Sequence, residues 1–201
     1  MRLPNLQSPI SLLQSAPSFI PRSPTTNPYP LNPALVIIGC MSNPKRLLFV
    51  CLGNIVRSPL AEHLFLRRAA EAGLDGKYAA ESAGIANWHA GEEPDPRMRR
   101  VAAARGLIYT GSARQFRIRD FPRYDLILGM DSDNRAALLS LARSDADRAK
   151  VHLLREFDPQ AASDASVPDP YYDGINSFED TYQIIERSVQ GLLEALERGQ
   201  I

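Results

Sequence analysis

Residues 46–59 read RLLFVCLGNIVRSP, and the change of character after Leu52 decides the architecture. Arg46–Leu52 is a continuous apolar run of strand length, the pattern of a strand covered on both faces in a parallel sheet. A helix is then predicted over 58–72, with Ser58 as N-cap, Pro59 at the first helical position and Gly73 ending it. A strand that feeds a helix through a short glycine-containing loop is one unit of an alternating α/β fold.

The alternation continues downstream. Residues 78–83 read as a strand, and Asp95-Pro96 opens a helix that Gly106 closes. Residues 124–130 (YDLILGM) form another buried strand, followed by a helix over 132–143 and a strand over 151–156. A last helix is predicted over 178–198, with Ser177 and Asp180 as a capping box. The expected fold is α/β, a four-stranded parallel sheet with helices on both faces, and there is no internal repeat.

The first loop carries the chemistry. In open α/β sheets ligands bind outside the carboxyl ends of strands, so this loop is already in the favoured place. A tight turn ahead of a helix N-terminus aims several backbone N–H groups at one point, and with the helix dipole these form an anion site. Leu52, Gly53, Asn54, Ile55, Val56, Arg57 and Ser58 are the expected phosphate-binding residues. Gly53 permits close approach, and Asn54 is among the few other residues that tolerate left-handed backbone. Arg57 can reach back with a planar fork suited to two phosphate oxygens.

Cys51 sits at the base of this cradle. A field built for a dianion also favours a thiolate, which could attack phosphorus in line and give a phosphocysteine. Arg57 and the loop amides would hold the equatorial oxygens in the transition state, and Ser58 could donate its hydroxyl to the departing sulfur. A cysteine followed six places on by arginine is a weak signal alone, and Cys51 alone reads as a buried strand residue. Gly53, Asn54, Ser58 and Pro59, set between a buried strand and a helix start, make the pattern specific. It is not the Gly-Lys-Ser/Thr nucleotide loop, because no lysine stands where that motif needs one.

Composition narrows the partners. The chain of 201 residues carries 23 basic and 23 acidic side chains, which argues against binding nucleic acid or an anionic membrane. Arginines at Arg97, Arg99 and Arg100, and at Arg114, Arg117 and Arg119, read as solvated faces and turns. Two cysteines, Cys40 and Cys51, make no disulfide framework, so a reducing compartment and a cytoplasmic location are expected. His63, His89 and His152 are scattered, and neither a metal nor a cofactor is expected.

Residues 1–40 differ in kind from the domain at 41–201. They hold eight of the 16 prolines, five serines, two arginines and no lysine or acid. The extension reads as disordered, or as sequence upstream of a start at Met41. An organelle transit role is a further alternative for which two arginines make a thin case.

Taken together, these motifs resemble the low-molecular-weight protein tyrosine phosphatases. The resemblance spans Lys45 to about Leu196 and rests on CLGNIVRSPLAE at 51–62, SAG at 82–84, WHAGEEPDPR at 88–97, ARQF at 113–116, MDSDN at 130–134 and PDPYYDG at 168–174. It implies a flavodoxin-like sheet, phosphotyrosine-containing protein substrates and no cofactor. By the same resemblance Asp169 is the general acid, although Asp-Pro alone reads as a turn. Trp88, Tyr171 and Tyr172 match aromatic positions flanking the crevice, and Asn54, Ser58 and Ser82 match polar positions that brace the loop. Asp131 follows a strand end facing the same crevice and is expected to support it. A monomer is expected.

Two departures stand out. Many relatives carry a second cysteine five residues after the nucleophile, where this chain has Val56, and Cys40 lies outside the domain. Peroxide is therefore expected to drive Cys51 through sulfenic towards irreversible acids; rapid, complete recovery by dithiothreitol after prolonged exposure would contradict this. Gly111 stands where animal relatives carry a histidine in the loop-bracing network. Three rival readings remain. Arsenate reductases of this fold use further cysteines that the domain lacks. Protein-arginine phosphatases tend to carry threonine where this chain has Ile55. A phosphotyrosine-binding module without turnover would not need Cys51, Arg57 and Asp169 intact.

Overall fold

The computed structural model describes residues 43–161, 163 and 165–201; the expectations for residues 1–40 and Cys40 lie outside them. The order of elements is β1 (Lys45–Cys51), α1 (Arg57–Glu71), β2 (Tyr78–Gly84), α2 (Pro96–Ala103), β3 (Leu126–Gly129), α3 (Ser132–Leu141), α4 (Asp145–Arg148), β4 (Val151–Leu153) and α5 (Ile175–Glu197). The four strands form one parallel sheet in the order β2-β1-β3-β4. This is the expected α/β architecture.

The apolar run of β1 is continuous because both faces are covered. Leu47, Phe49 and Cys51 join a core with Leu60 and Leu64 of α1 and with Tyr182, Ile185 and Val189 of α5. Leu48 and Val50 face the other way, into a second core with Leu138 of α3 and Phe121. On α5, Phe178, Tyr182, Ile185, Val189, Leu192 and Leu196 recur every three or four residues and are all buried, forming the stripe of an amphipathic helix. Each such side chain contributes roughly 1.5–3 kcal/mol of transfer free energy. Gly191 allows that helix to close on the 3₁₀ turn at Leu154–Phe157, since a Cβ there would lie 1.9 Å from the Phe157 carbonyl oxygen.

Several element boundaries differ from the sequence reading. α1 begins at Arg57 with Val56 in the cap position, so Ser58 is not its cap. The last helix begins at Ile175 behind Gly174 with no side-chain cap, and the Ser177–Asp180 capping box does not form. The strand expected over 151–156 ends at Leu153 and passes into the 3₁₀ turn. β3 is likewise shorter than 124–130.

This topology positions the site. β1 lies between β2 and β3, so the chain leaves it in one direction and later returns on the other side, a switch point at which α/β sheets bind ligands. Cys51 occupies its carboxyl end.

Candidate active site

Between β1 and α1 the chain turns through residues 52–56, and Asn54 makes the turn possible. Its φ of 59° lies in the left-handed region, which asparagine tolerates because its short side chain bonds locally. Asn54 is buried, and its side-chain amide is fully engaged: Nδ2 donates to Ser58 Oγ and to Ser82 Oγ, each at 2.9 Å, and Oδ1 accepts from the Arg114 amide at 2.8 Å. The Asn54 backbone N–H points at Cys51 Sγ, 3.2 Å away. Ser58 Oγ stands 3.1 Å from the same sulfur and 3.2 Å from the Ala83 carbonyl. Its single proton can serve either acceptor, so it can turn to sulfur when negative charge gathers there. That commitment explains why Ser58 does not cap the helix.

Behind the loop, β2 ends in Gly84. A Cβ there would lie 2.8 Å from Leu52 O and 3.0 Å from Asn54 N, so only bare backbone can back the loop this closely. Its N–H and C=O bond Arg114 O at 2.8 Å and Phe116 N at 2.7 Å, which brings the Arg114 amide to Asn54.

Arg57 is 2% exposed. Nη1 donates to Asp131 Oδ2 at 2.6 Å and to the Val167 carbonyl at 3.1 Å, while Nη2 donates to Asp169 Oδ2 at 2.5 Å. Burial works against its charge, but Cys51, Asp169 and Asp131 outweigh burial and raise the guanidinium above its ordinary value. Nε is also buried and has no partner among the described residues, an unused donor of the kind a bound oxyanion satisfies. Asp131 is itself fixed, as N-cap of α3, by the Asn134 amide at 2.7 Å. The segment bearing Asp169 is tied to the end of β3, where the Val167 amide bonds Met130 O at 2.7 Å.

A crevice of about 80 Å³ brings Cys51, Arg57 and Asp169 together with Trp88, Tyr171 and Tyr172. Trp88 is 70% and Tyr172 95% exposed, so these two form the rim. Leu52, Gly53, Ile55 and Val56 also line the crevice. Asn54, Ser58, Ser82 and Asp131 stand outside the crevice, the first three bracing the loop from behind and Asp131 bracing Arg57. His63 and His152 are not part of it.

Sequence reasoning missed two contributors. His89 lines the crevice, its Nδ1 is 2.8 Å from Glu92 Oε2, and a Cβ on Gly53 would meet its ring at 2.9 Å. Its place beside Trp88 was the available signal. Glu62 lines a pocket behind the loop together with Asn54 and Ser82, and burial raises its carboxyl above the ordinary value although Ser82 and His63 act the other way. One turn of helix separates Glu62 from Ser58, a spacing that would have placed both on one face. Among the described residues no group of side chains is arranged to hold a metal ion, and no helix is long and apolar enough to cross a membrane.

Comparison with known proteins identifies the family. Residues 46–200 match the family described as low molecular weight phosphotyrosine protein phosphatase. A low molecular weight protein-tyrosine-phosphatase of Streptomyces coelicolor is 45% identical over 152 residues, 75% of this chain and 93% of that protein. The crystal structure of a protein tyrosine phosphatase from Entamoeba histolytica, with Hepes in its active site, superposes with a TM-score of 0.75 at 36% identity, covering 78% of this chain and 99% of that one. A Drosophila arginine phosphatase superposes with a TM-score of 0.70 at 29% identity, covering 75% and 96%.

Proposed function

The chain belongs to the low molecular weight phosphotyrosine protein phosphatases, and from that membership we propose that it hydrolyses phosphotyrosine on protein substrates through a phosphocysteine at Cys51. The observation that carries the reading is the convergence of a cysteine sulfur, a buried guanidinium and a carboxylate on one small crevice.

The first step forms the Sγ–P bond and breaks the bond from phosphorus to the tyrosine oxygen, with Asp169 giving its proton to that oxygen. Arg57 and the amides of the loop hold the equatorial oxygens as charge shifts between them. In the second step Asp169 takes a proton from water, the water oxygen attacks phosphorus, and Cys51 leaves as thiolate. Ser58 Oγ, 3.1 Å from Sγ, stabilises the leaving sulfur. No metal or cofactor takes part.

Trp88, Tyr171 and Tyr172 suit the two faces of a phenyl ring, and the slot disfavours phosphoserine because the shorter ester holds its phosphate away from the sulfur. Ile55 in the crevice lining supports phosphotyrosine over phosphoarginine, since its branched chain leaves less room for a guanidinium-linked phosphate. Arsenate reduction is disfavoured because Cys51 is the one free cysteine among the described residues. The reading extends to a cytoplasmic location, supported by the cysteine usage of the sequence, and to a monomer.

Steady-state hydrolysis of matched phosphotyrosine, phosphoserine and phosphoarginine peptides tests the substrate class. The phosphotyrosine peptide is expected to lead by about 100-fold in kcat/KM. A lead for phosphoarginine would move the chain to the other substrate class while leaving the chemistry at Cys51 in place.

A further inference from the structure

The arginine at 97 is half-exposed, with 39% of its side chain open to solvent, yet it has more partners than the solvated face or turn implied by its clustering. Its guanidinium is stacked between two rings, 4.5 Å from the Phe178 centroid and 5.3 Å from the Tyr171 centroid. Asp95 grips it from the third side. Asp95 Oδ1 accepts from the Arg97 amide at 2.8 Å and from Nε at 3.1 Å, and Oδ2 accepts from Nη2 at 2.7 Å. Asp95 is 7% exposed; burial works against its charge, but the bonds and charge of Arg97 prevail and hold its carboxyl below the ordinary value.

Two contacts connect this locked pair to the two halves of the active site. The Asp95 amide donates to Ile55 O, in the middle of the phosphate loop, at 2.8 Å. Arg97 Nη1, the remaining arm of the fork, donates to the Tyr171 carbonyl at 3.0 Å. The amide of that same Tyr171 donates to Asp169 Oδ1 at 3.3 Å. A continuous chain of polar contacts therefore runs from the cradle, through Asp95 and Arg97, to the carboxylate of the acid segment.

We propose that Arg97, locked by Asp95, is the positioning residue that sets the distance between Asp169 and the phosphate loop. The role rests on the reading of Asp169 as the proton donor to the leaving group. Arg97 touches no reacting atom. It matters because a general acid displaced by about 1 Å can lose a factor of about 100 in rate.

A positioning residue predicts a distinctive signature. Aryl phosphates whose leaving phenols span a range of pKa are compared for wild type, Arg97→Met, Arg97→Lys and Asp169→Asn. Arg97→Met is expected to lower kcat/KM for phenyl phosphate by about tenfold and for para-nitrophenyl phosphate by only about twofold, so the dependence on leaving-group pKa steepens. The affinity for inorganic phosphate should stay within about twofold of wild type, because the cradle itself is untouched. Arg97→Lys keeps charge and stem without the fork and should steepen the dependence in the same direction, which covers the case of an unstable methionine variant. In the Arg97→Met, Asp169→Asn double variant the steepening should not exceed that of Asp169→Asn alone. Equal losses for every leaving group, a fall in phosphate affinity to match, or no loss at all would overturn the assignment. If Asp169→Asn itself leaves the dependence unchanged, the general-acid reading fails. If Asp169→Asn steepens it and the Arg97 variants do not, only the role of Arg97 fails.

Discussion

Cys51→Ser is expected to hydrolyse para-nitrophenyl phosphate on the order of 10⁴-fold or more slowly than wild type, as follows removal of a catalytic nucleophile. The isosteric exchange is severe because a hydroxyl attacks phosphorus only if a base takes its proton. The polar neighbours of Sγ are the Asn54 N–H and the Ser58 hydroxyl, which are placed to stabilise an anion, not to accept a proton. A thiolate needs no base, and the same donors favour it. The variant should still bind inorganic phosphate, since Arg57, Asn54 and the loop amides remain. Initial rates measure the first half of the expectation, and calorimetric titration of both proteins with phosphate measures the second. Residual activity within about 100-fold of wild type would remove Cys51 as nucleophile. Loss of phosphate binding together with activity would show that the exchange had damaged the cradle.

That cradle was legible in sequence because its parts are local. Cys51, Gly53, Asn54 and Arg57 fall within one strand-to-helix turn, where spacing translates directly into proximity. β1 was legible for a related reason: residues facing two different cores produce an unbroken apolar run. The errors arose where a side chain had a better partner than the local rule supposed. Ser58 has the composition and position of a helix cap, yet its hydroxyl is engaged with Cys51, Asn54 and Ala83. Ser177 and Asp180 have the spacing of a capping box, but the helix starts earlier, at Ile175 behind Gly174, and takes both of them inside it. The remaining bracing was beyond local rules altogether. Arg57 meets Asp131 and Asp169 across 74 and 112 residues of chain, and Arg97 meets Tyr171 across 74. For Asp131 a strand end supplied a hint, for Asp169 only family resemblance did, and for Arg97 the clustering of arginines gave no sign of its partners.

Asp169→Ala should separate substrates by their leaving groups. A tyrosine side chain departs with a pKa near 10, so expelling it at neutral pH benefits strongly from a proton donor. Nitrophenolate leaves with little help. The loss in kcat/KM is expected to be on the order of 100- to 1000-fold for a phosphotyrosine peptide and about tenfold for para-nitrophenyl phosphate. The contact between Asp169 Oδ2 and Arg57 Nη2, 2.5 Å long, adds a second consequence. An arriving phosphate is expected to compete for that arm of the fork, so that binding the substrate would free the carboxyl to face the leaving oxygen. Removing the carboxylate removes this competition, and inorganic phosphate should bind the variant at least as tightly as wild type. Arg57 keeps Asp131 and the Val167 carbonyl and stays oriented. Equal rate losses on the two substrates would mean that Asp169 acts through charge or structure and not by proton transfer. Weaker phosphate binding would mean that its pairing with Arg57 builds the cradle instead of competing with the ligand for it.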